Sequence, residues 1–249
     1  MMQGTYTAAL GIYSQQQRLD TIANNISNVN TLGFKNSRAD FKDALYRQMQ
    51  RPEDPQTLNL LKGHGTVVSG FVQSFSQGQM MDGTETNFYI EGQGFFAVQN
   101  AAGETLYTRD GSFVRDNDGY LVTSGTGYYV LDTNGQRIAF PADVQCSTNG
   151  SLFIGESETP YTQLQVVDFP NRQGLEAVSN NMYMVSDASG APRAAATDIK
   201  IHQNTLEGSN VELADEFSRM IRASRIFQLC SRALSTADSM DQTAINSRR

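Results

Sequence analysis

Residues 12–35 read IYSQQQRLDTIANNISNVNTLGFK, and the period of their apolar side chains predicts how the start of this 249-residue chain folds. Five of these side chains recur at spacings of 7, 3, 4 and 3: Ile12, Leu19, Ile22, Ile26 and Val29. This is the a/d pattern of a coiled-coil seam, a narrow apolar stripe along one face of a helix. Gly33 is expected to stop the helix, because glycine readily adopts the left-handed conformation found at helix ends.

The C-terminal residues 207–249 also have a helical period. Ser209 and Glu212 form an S-x-x-E pattern, which predicts a capping box at a helix start. Large apolar residues then lie near one face of the helix: Leu213, Phe217, Met220, Phe227, Leu234 and Met240. Two ordinary helices packed on a globular core would give the same pattern. The position of both helices outside a strand-rich block instead favours seams that await a partner.

Between the helices the apolar residues alternate with polar ones, as they do in half-buried strands. Strands are predicted at 88–90, 95–98, 106–109, 112–115, 120–123, 128–131, 136–140, 152–154, 163–169, 182–185 and 199–202. Asp110-Gly111, Asp118-Gly119 and Asn134-Gly135 predict tight hairpin turns, because these residue types tolerate positive φ. Regular strands with such turns are typical of an antiparallel sandwich or open barrel. The predicted fold class is therefore α+β.

The expected organisation has four parts. Residues 1–35 form the first helix, 36–75 a connecting segment, 76–206 a β-rich central domain and 207–249 the second helix. Within the connecting segment, 51–55 has prolines near both ends and is predicted to be a linker or exposed loop.

Composition excludes several classes of protein. The chain has a net charge of −7 and a pI near 4.8, and residues 51–206 alone carry −9. A nucleic-acid-binding protein needs a cationic surface, so this class is excluded. No apolar run approaches the roughly 20 residues of a membrane helix, and residues 1–10 do not resemble a secretory signal peptide. Two cysteines and two histidines barely supply a zinc site.

Short motifs give little support for catalysis. Residues 92–97, GQGFFA, match the dinucleotide pattern G-x-G-x-x-A, but that site needs a helix directly after the glycines. The following residues alternate like a strand, so a turn between two strands is the preferred interpretation. Only His64 and His202 could serve a Ser–His pair, and no G-x-S-x-G motif is present. A glycosidase pair of carboxylates stays open, because acidic residues are plentiful.

A longer signature is more specific. Residues 23–35, ANNISNVNTLGFK, resemble the N-terminal signature of bacterial flagellar rod and hook proteins. Residues 92–98 and 107–113 resemble the central β-domain of that family, and 209–238 resemble its C-terminal helix. The similarity covers both ends and the middle in the family's order. The chain length is most similar to that of the distal rod subunit or its proximal-rod paralogue.

The resemblance implies a structural protein without catalytic activity, metal or cofactor. Such a chain is exported unfolded by the flagellar type III apparatus without a cleaved signal peptide. It assembles with further copies of itself into a helical tube that transmits torque in the basal body, within the cell envelope. The implied partners are other copies, other rod and hook proteins and the export apparatus, but no nucleic acid and no membrane. The terminal helices are implied to pair as a coiled coil whose seams neighbouring subunits bury.

The predicted assembly interface consists of these seams and the turn after the first helix. Its residues are Ile12, Leu19, Ile22, Asn24, Asn25, Ile26, Asn28, Val29, Gly33, Leu213, Phe217, Met220, Phe227 and Leu234. Two alternatives belong to other classes. One is a secreted β-sandwich binding module with dimerising terminal helices, and the other is an enzyme that uses the turn at 92–97 for a nucleotide.

Overall fold

The computed structural model describes residues 2–44, 47–50, 60–63, 65–141, 143–155, 157, 159–195 and 199–247. The chain divides into two compact units. Unit 1 comprises Met1–Ser27, Ser37–Ser74 and Glu212–Arg249, and unit 2 comprises Asn28–Asn36 and Phe75–Val211. The predicted linker at 51–55, His64 and the last two residues lie outside the described residues.

Unit 1 contains both helices of the described chain and two strand pairs. Its elements are α1 (Met2–Ser27), β1 (Ser37–Asp43), β2 (Arg47–Gln50), β3 (Leu60–Lys62), β4 (Thr66–Gln73) and α2 (Leu213–Asn246). β1 pairs antiparallel with β4, with a register shift between Asp40 and Phe41, and β2 pairs antiparallel with β3. α1 packs against α2, β1 and β4. Neither helix is apolar enough over a sufficient length to cross a bilayer, as far as the chain is described.

Both predicted helices form, but two predictions about their ends are wrong. α1 stops at Ser27 rather than at Gly33, and residues 28–33 form turns. The predicted capping box is also absent, since Glu212 is the N-cap and its side chain makes no capping hydrogen bond. Ser209 Oγ instead accepts from the N–H of Val211. The N–H of Asn210, just before α2, donates to the Phe34 carbonyl within unit 2.

Unit 2 contains the remaining strands and one 3-10 turn at Arg172–Gly174. The strands are β5 (Met80–Asp82), β6 (Phe88–Glu91), β7 (Phe95–Gln99), β8 (Thr105–Thr108), β9 (Phe113–Arg115), β10 (Leu121–Thr123), β11 (Tyr129–Val130), β12 (Val144–Cys146), β13 (Ser151–Ile154), β14 (Thr162–Gln163), β15 (Val166–Asp168), β16 (Glu176–Ala177), β17 (Met182–Met184), β18 (Arg193–Ala194), β19 (Lys200–Gln203) and β20 (Thr205–Glu207).

The largest sheet of unit 2 has the order β16-β17-β8-β7-β11-β10-β9, and β15 joins β7 to β18. Smaller sheets pair β12-β13-β14, β19-β6 and β20-β5. Every pairing between described strands is antiparallel, and no closed barrel forms among them. This confirms the α+β class with an antiparallel β-rich centre between two terminal helices. Coiled-coil pairing of the helices stays a prediction.

β7 forms the middle of the core because both of its faces are covered. Phe96 and Val98 lie in one buried cluster, and Phe95 and Ala97 lie in a second one on the opposite face. Alternate side chains of a strand point to opposite faces, so a strand buried on both sides is apolar without interruption. Residues 92–94 form the turn between β6 and β7, and a strand rather than a helix follows the glycines, as the sequence predicted.

The hairpin predictions have mixed outcomes. Gly119 and Gly135 have positive φ and lie in the tight turns that their dipeptides predicted. Asp110-Gly111 is not a hairpin turn, because β8 pairs with β7 and β17 whereas β9 pairs with β10. Gly111 is needed for a different reason. A Cβ there would lie 1.7 Å from the Phe88 carbonyl oxygen, so only glycine lets these two backbone segments approach each other.

Candidate assembly surface

The predicted interface residues of α1 differ in how far they are buried. Ile22 is buried, and Ile12, Leu19 and Ile26 are only partly covered. The predicted stripe is therefore not the innermost face of the helix. Asn24 is exposed, whereas Asn25 is buried. In the turn that belongs to unit 2, Asn28 and Val29 are partly covered and Gly33 is buried.

Polar residues occupy most of the buried face of α1. Ser14, Thr21 and Asn25 are each at most 8% exposed. Ser14 Oγ donates to the Thr66 carbonyl at the start of β4 (3.2 Å). Asn25 Nδ2 donates to the Ser37 carbonyl (2.8 Å), and its Oδ1 accepts from the Ser37 N–H (3.0 Å). Sequence reasoning missed this face because it searched for apolar residues, whereas α1 packs against the backbone of β1 and β4.

α2 has a covered stripe that differs from the predicted one at its start. Met220, Phe227 and Leu234 are partly covered as expected of a seam, but Leu213 and Phe217 are exposed. Covered positions recur at spacings of four and three: Glu216, Met220, Ala223, Phe227, Cys230, Leu234, Ala237, Asp241 and Ala244. Cys230 faces α1, since a Cβ on Gly11 would lie 3.2 Å from its Sγ. The spacing of the covered stripe is a heptad pattern, although its side chains are mixed in polarity.

Unit 1 leaves half of its described large apolar side chains exposed. Among its described residues, Ile22 and Ala223 are the only apolar side chains that are fully buried. Eleven large ones are exposed: Tyr6, Tyr13, Val67, Phe71, Leu213, Phe217, Ile221, Ile226, Leu229, Met240 and Ile245. Exposed apolar side chains mark a site of protein interaction where they lie together in one patch. We call these eleven side chains the apolar surface of unit 1.

The turn segment before β1 is fixed inside unit 2 by a buried ion network. Lys35 Nζ donates to Glu207 Oε1 (2.6 Å) and to the Ser76 carbonyl (2.7 Å). Arg109 NH1 donates to Glu207 Oε2 (3.2 Å), and its NH2 donates to the Gly92 carbonyl (2.6 Å). Burial lowers the pKa of Lys35 and of Arg109, and the Glu207 carboxylate opposes this only in part.

The described residues show no arrangement that suits catalysis. No group of three His, Cys, Asp or Glu side chains in the described part of the chain could hold a metal ion. His202 Nε2 lies 2.9 Å from Glu91 Oε2 on the exposed side of β19 and β6. Cys146 is a poor nucleophile, since burial raises the pKa of its thiol to about 12.

Comparison with known protein families assigns three regions of the chain. Residues 6–35 match the model for flagella basal body rod proteins, which covers α1 and the turn after it. Residues 89–155 match the D1 domain of the flagellar hook protein FlgE/F/G, and 202–247 match the C-terminal region of the flagellar basal body rod FlgEFG proteins. The chain belongs to the flagellar hook and basal-body rod protein family.

Relatives in this family are similar to the chain over its full length. Flagellar basal-body rod protein FlgG of Borreliella burgdorferi is 38% identical, with 100% of both chains covered. FlgG of Bacillus subtilis is 35% identical with the same coverage. The flagellar hook-basal body complex protein FlhP of Bacillus subtilis is 28% identical, with 96% of this chain and 97% of that protein covered.

Membership in the hook and rod family explains the absence of a catalytic arrangement. The family consists of structural components that assemble with other flagellar proteins, so the prediction that the chain is not an enzyme is confirmed. Nine of the eleven side chains in the apolar surface of unit 1, those on α1 and α2, fall within the two rod-protein matches. The resemblance that residues 23–35 indicated is confirmed as well.

Proposed function

We propose that this chain is a structural subunit of the flagellar basal-body rod and that copies of it assemble into a helical tube through unit 1. The observation that carries the proposal is the apolar surface of unit 1, on a unit with almost no buried apolar side chains of its own. The names and full-length similarity of the relatives support the rod as the place of assembly.

Burial of this surface by neighbouring copies supplies the free energy of assembly. Covering a large apolar side chain stabilises by about 1.5–3 kcal/mol. The seven exposed side chains of α2 are already partly covered in the single chain, so covering all of them contributes a free energy of the same order as the entropy cost of association. A helical tube follows when the rotation that relates neighbouring copies does not close into a ring.

The predicted interface residues have different roles in this proposal. Phe217 and Leu213 contact neighbouring copies directly, because they are exposed in the single chain. Ile22 and Asn25 act within unit 1, where they hold α1 in place. Residues 1–27 and 212–249, the parts of the two predicted terminal segments that belong to unit 1, thus work together as one discontinuous assembly region.

Export through the flagellar type III apparatus is the second part of the proposal. The relatives that are flagellar basal-body rod proteins support this route, and a chain that passes a narrow channel must travel unfolded. Fractionation of cells that lack the flagellar export ATPase tests this step. We expect the chain to accumulate in the cytoplasm of those cells and to reach the envelope in the parent strain. Normal delivery to the envelope without the export ATPase would contradict it.

The substitution Phe217→Asp tests the role of unit 1. Phe217 is 49% exposed on α2, so a charge there is solvated in the free chain but opposes burial between copies. We expect purified basal bodies to contain none of the variant, while unit 2 keeps its β-sheet circular dichroism.

Val178→Asp is the matched control, because Val178 is 52% exposed but belongs to unit 2. This variant is expected to enter the basal body normally. Full incorporation of Phe217→Asp, or equal loss of both variants, would contradict assembly through unit 1.

A further inference from the structure

A groove in unit 1 between α1, β1 and the start of α2 contains a buried carboxylate with an unused oxygen. The groove has a volume of about 260 Å³, and its lining includes Arg18, Phe41, Glu216 and Arg219. The side chain of Glu216 is 2% exposed. Its Oε1 accepts from Arg219 NH1 (2.8 Å), and its Oε2 is buried with no hydrogen-bond partner among the described residues.

Arg18 supplies a second group with spare hydrogen-bonding capacity. Its guanidinium carbon lies 5.7 Å from the centre of the Phe41 ring, in a cation–π contact. It makes no ion pair with any carboxylate in the described part of the chain. The groove therefore presents an unused acceptor on Glu216 and unused donors on Arg18.

Buried polar atoms in native proteins are nearly always hydrogen-bonded, so an unused carboxylate oxygen indicates a missing donor. Leaving such an oxygen without a partner is unfavourable, and a group that donates to it gains more than an ordinary surface contact does. The groove thus has a built-in preference for an incoming donor.

The charges of the lining restrict what that donor can be. Arg18, Arg38 and Arg219 outnumber Asp40 and Glu216, so a Lys or Arg side chain would meet net positive charge. An incoming carboxylate would instead repel Glu216 Oε2. A neutral carboxamide suits both requirements, because its N–H groups donate to Glu216 and its oxygen accepts from Arg18. A hydroxyl is too small to bridge two walls of a groove of this volume.

We infer that this groove receives a glutamine side chain from a second copy of the chain, an inference that rests on the proposed assembly through unit 1. Among the helix residues whose side chains the structure describes, three glutamines are exposed: Gln16 on α1, and Gln228 and Gln242 on α2. Residues on the same two helices carry the apolar surface of unit 1. One copy therefore presents both the apolar side chains and the carboxamide to the next.

A photo-cross-linker at position 38 identifies the occupant in assembled basal bodies. Arg38 lines the groove, and its side chain is 70% exposed. We expect mass spectrometry to find a link between two copies, in a peptide that contains Gln16, Gln228 or Gln242. A link only to another protein, or to a segment of unit 2, would overturn the assignment.

A charge exchange then tests the hydrogen bond itself. Changing the identified glutamine to glutamate puts two carboxylates together, and we expect the incorporated protein to fall about tenfold. Adding Glu216→Gln supplies an amide donor for the new carboxylate and is expected to restore incorporation. No rescue would mean that Glu216 acts only within its own chain or on a bound water, and would overturn the inference.

Asp215→Asn is the matched control for Glu216. Asp215 is next to Glu216 and lies 3.9 Å from Arg219, but it is 65% exposed. This variant is expected to assemble normally. If the parent chain itself fails to enter basal bodies, the proposed function fails. If the parent assembles but the exchange gives no rescue, only the groove assignment fails.

Discussion

Glu207 neutralises only one of the two cations that it contacts in the interior of unit 2. Its carboxylate oxygens accept from Lys35 and Arg109 and from the N–H of Gly78 (2.9 Å). Both cations are almost completely buried. Removing one partner of a buried ion pair is strongly destabilising, since the other charge is left without compensation.

Glu207→Gln is therefore expected to lower the free energy of unfolding of unit 2 by about 3 kcal/mol. Urea unfolding followed by circular dichroism measures the change. Adding Lys35→Met removes one uncompensated charge and should recover part of the loss. Glu91→Gln serves as the control, because the pair that Glu91 makes with His202 is exposed and contributes little. An equal effect of both single substitutions would contradict the role given to burial.

Gly33 combines positive φ with a close approach to another backbone segment. Its φ is 66°, and a Cβ there would lie 2.7 Å from the Asp110 nitrogen. Gly33→Ala should destabilise unit 2 by about 2–3 kcal/mol, from conformational strain and steric overlap together. Gly103→Ala measures the conformational strain alone, since Gly103 has a φ of 88° and a Cβ there would meet no atom within 4 Å. Equal unfolding midpoints for the two variants would show that Asp110 moves aside without cost.

The contact between α1 and α2 depends on the absence of a side chain at Gly11. A Cβ there would lie 3.2 Å from Cys230 Sγ, whereas a Cβ on Gly4 meets nothing within 4 Å. Replacing glycine by alanine in a helix gains about 1 kcal/mol of intrinsic propensity.

We expect Gly4→Ala to slow amide hydrogen exchange in α1. Gly11→Ala should slow this exchange less, because the methyl group added at position 11 crowds α2. Combining Gly11→Ala with Cys230→Ala removes the crowding, and this variant should match Gly4→Ala. If Gly11→Ala alone protects α1 as well as Gly4→Ala does, the two helices do not depend on this contact.

Most strands of unit 2 could be predicted, because burial against its two apolar clusters imposes a clear period, and both helices could be predicted from the heptad spacing of their apolar residues. The strand predictions at 95–98 and 152–154 coincide closely with β7 and β13. β1, with the sequence SRADFKD, has only one large apolar residue and so gave no period-2 signal. β4 is rich in Val and Phe, residue types that favour strands, but no strand was predicted there.

The candidate site was only partly predictable for a related reason. The apolar spacing of α2 correctly placed Phe217 on the helix. It could not predict that Glu216 is buried while the adjacent Phe217 is exposed. The burial of this carboxylate depends on packing against α1 and β1 that no local pattern encodes, whereas its ion pair with Arg219 is an i,i+3 contact within α2. The Lys35–Glu207 pair is still less predictable, since 172 positions separate its members.

The two units differ in what holds them together. Unit 2 has two buried apolar clusters, whereas unit 1 has isolated buried side chains and an apolar surface. Helices without substantial apolar burial are marginal in water. Unit 1 is therefore expected to open in the free chain far more often than unit 2 does.

Limited proteolysis of the purified chain measures this difference. We expect cleavage to remove the helical ends first and to leave an acidic fragment that contains 75–211. Assembled basal bodies should protect the ends, because neighbouring copies cover them. Ends as resistant as unit 2 in the free chain would remove the main physical support for assembly-coupled ordering and favour the binding-module alternative.

The ion pair between Lys35 and Glu207 also sets the order in which segments of unit 2 can fold during synthesis. Ribosomes add about 5–20 residues per second, so Glu207 follows Lys35 by roughly ten to thirty seconds. Until then the Lys35 ammonium has no carboxylate to accompany it into the interior and stays in water. Residues 28–36 cannot take their final place before almost all of unit 2 has been made. Residues 28–36 of the nascent chain therefore stay unpacked until the segment directly before α2 has been synthesised.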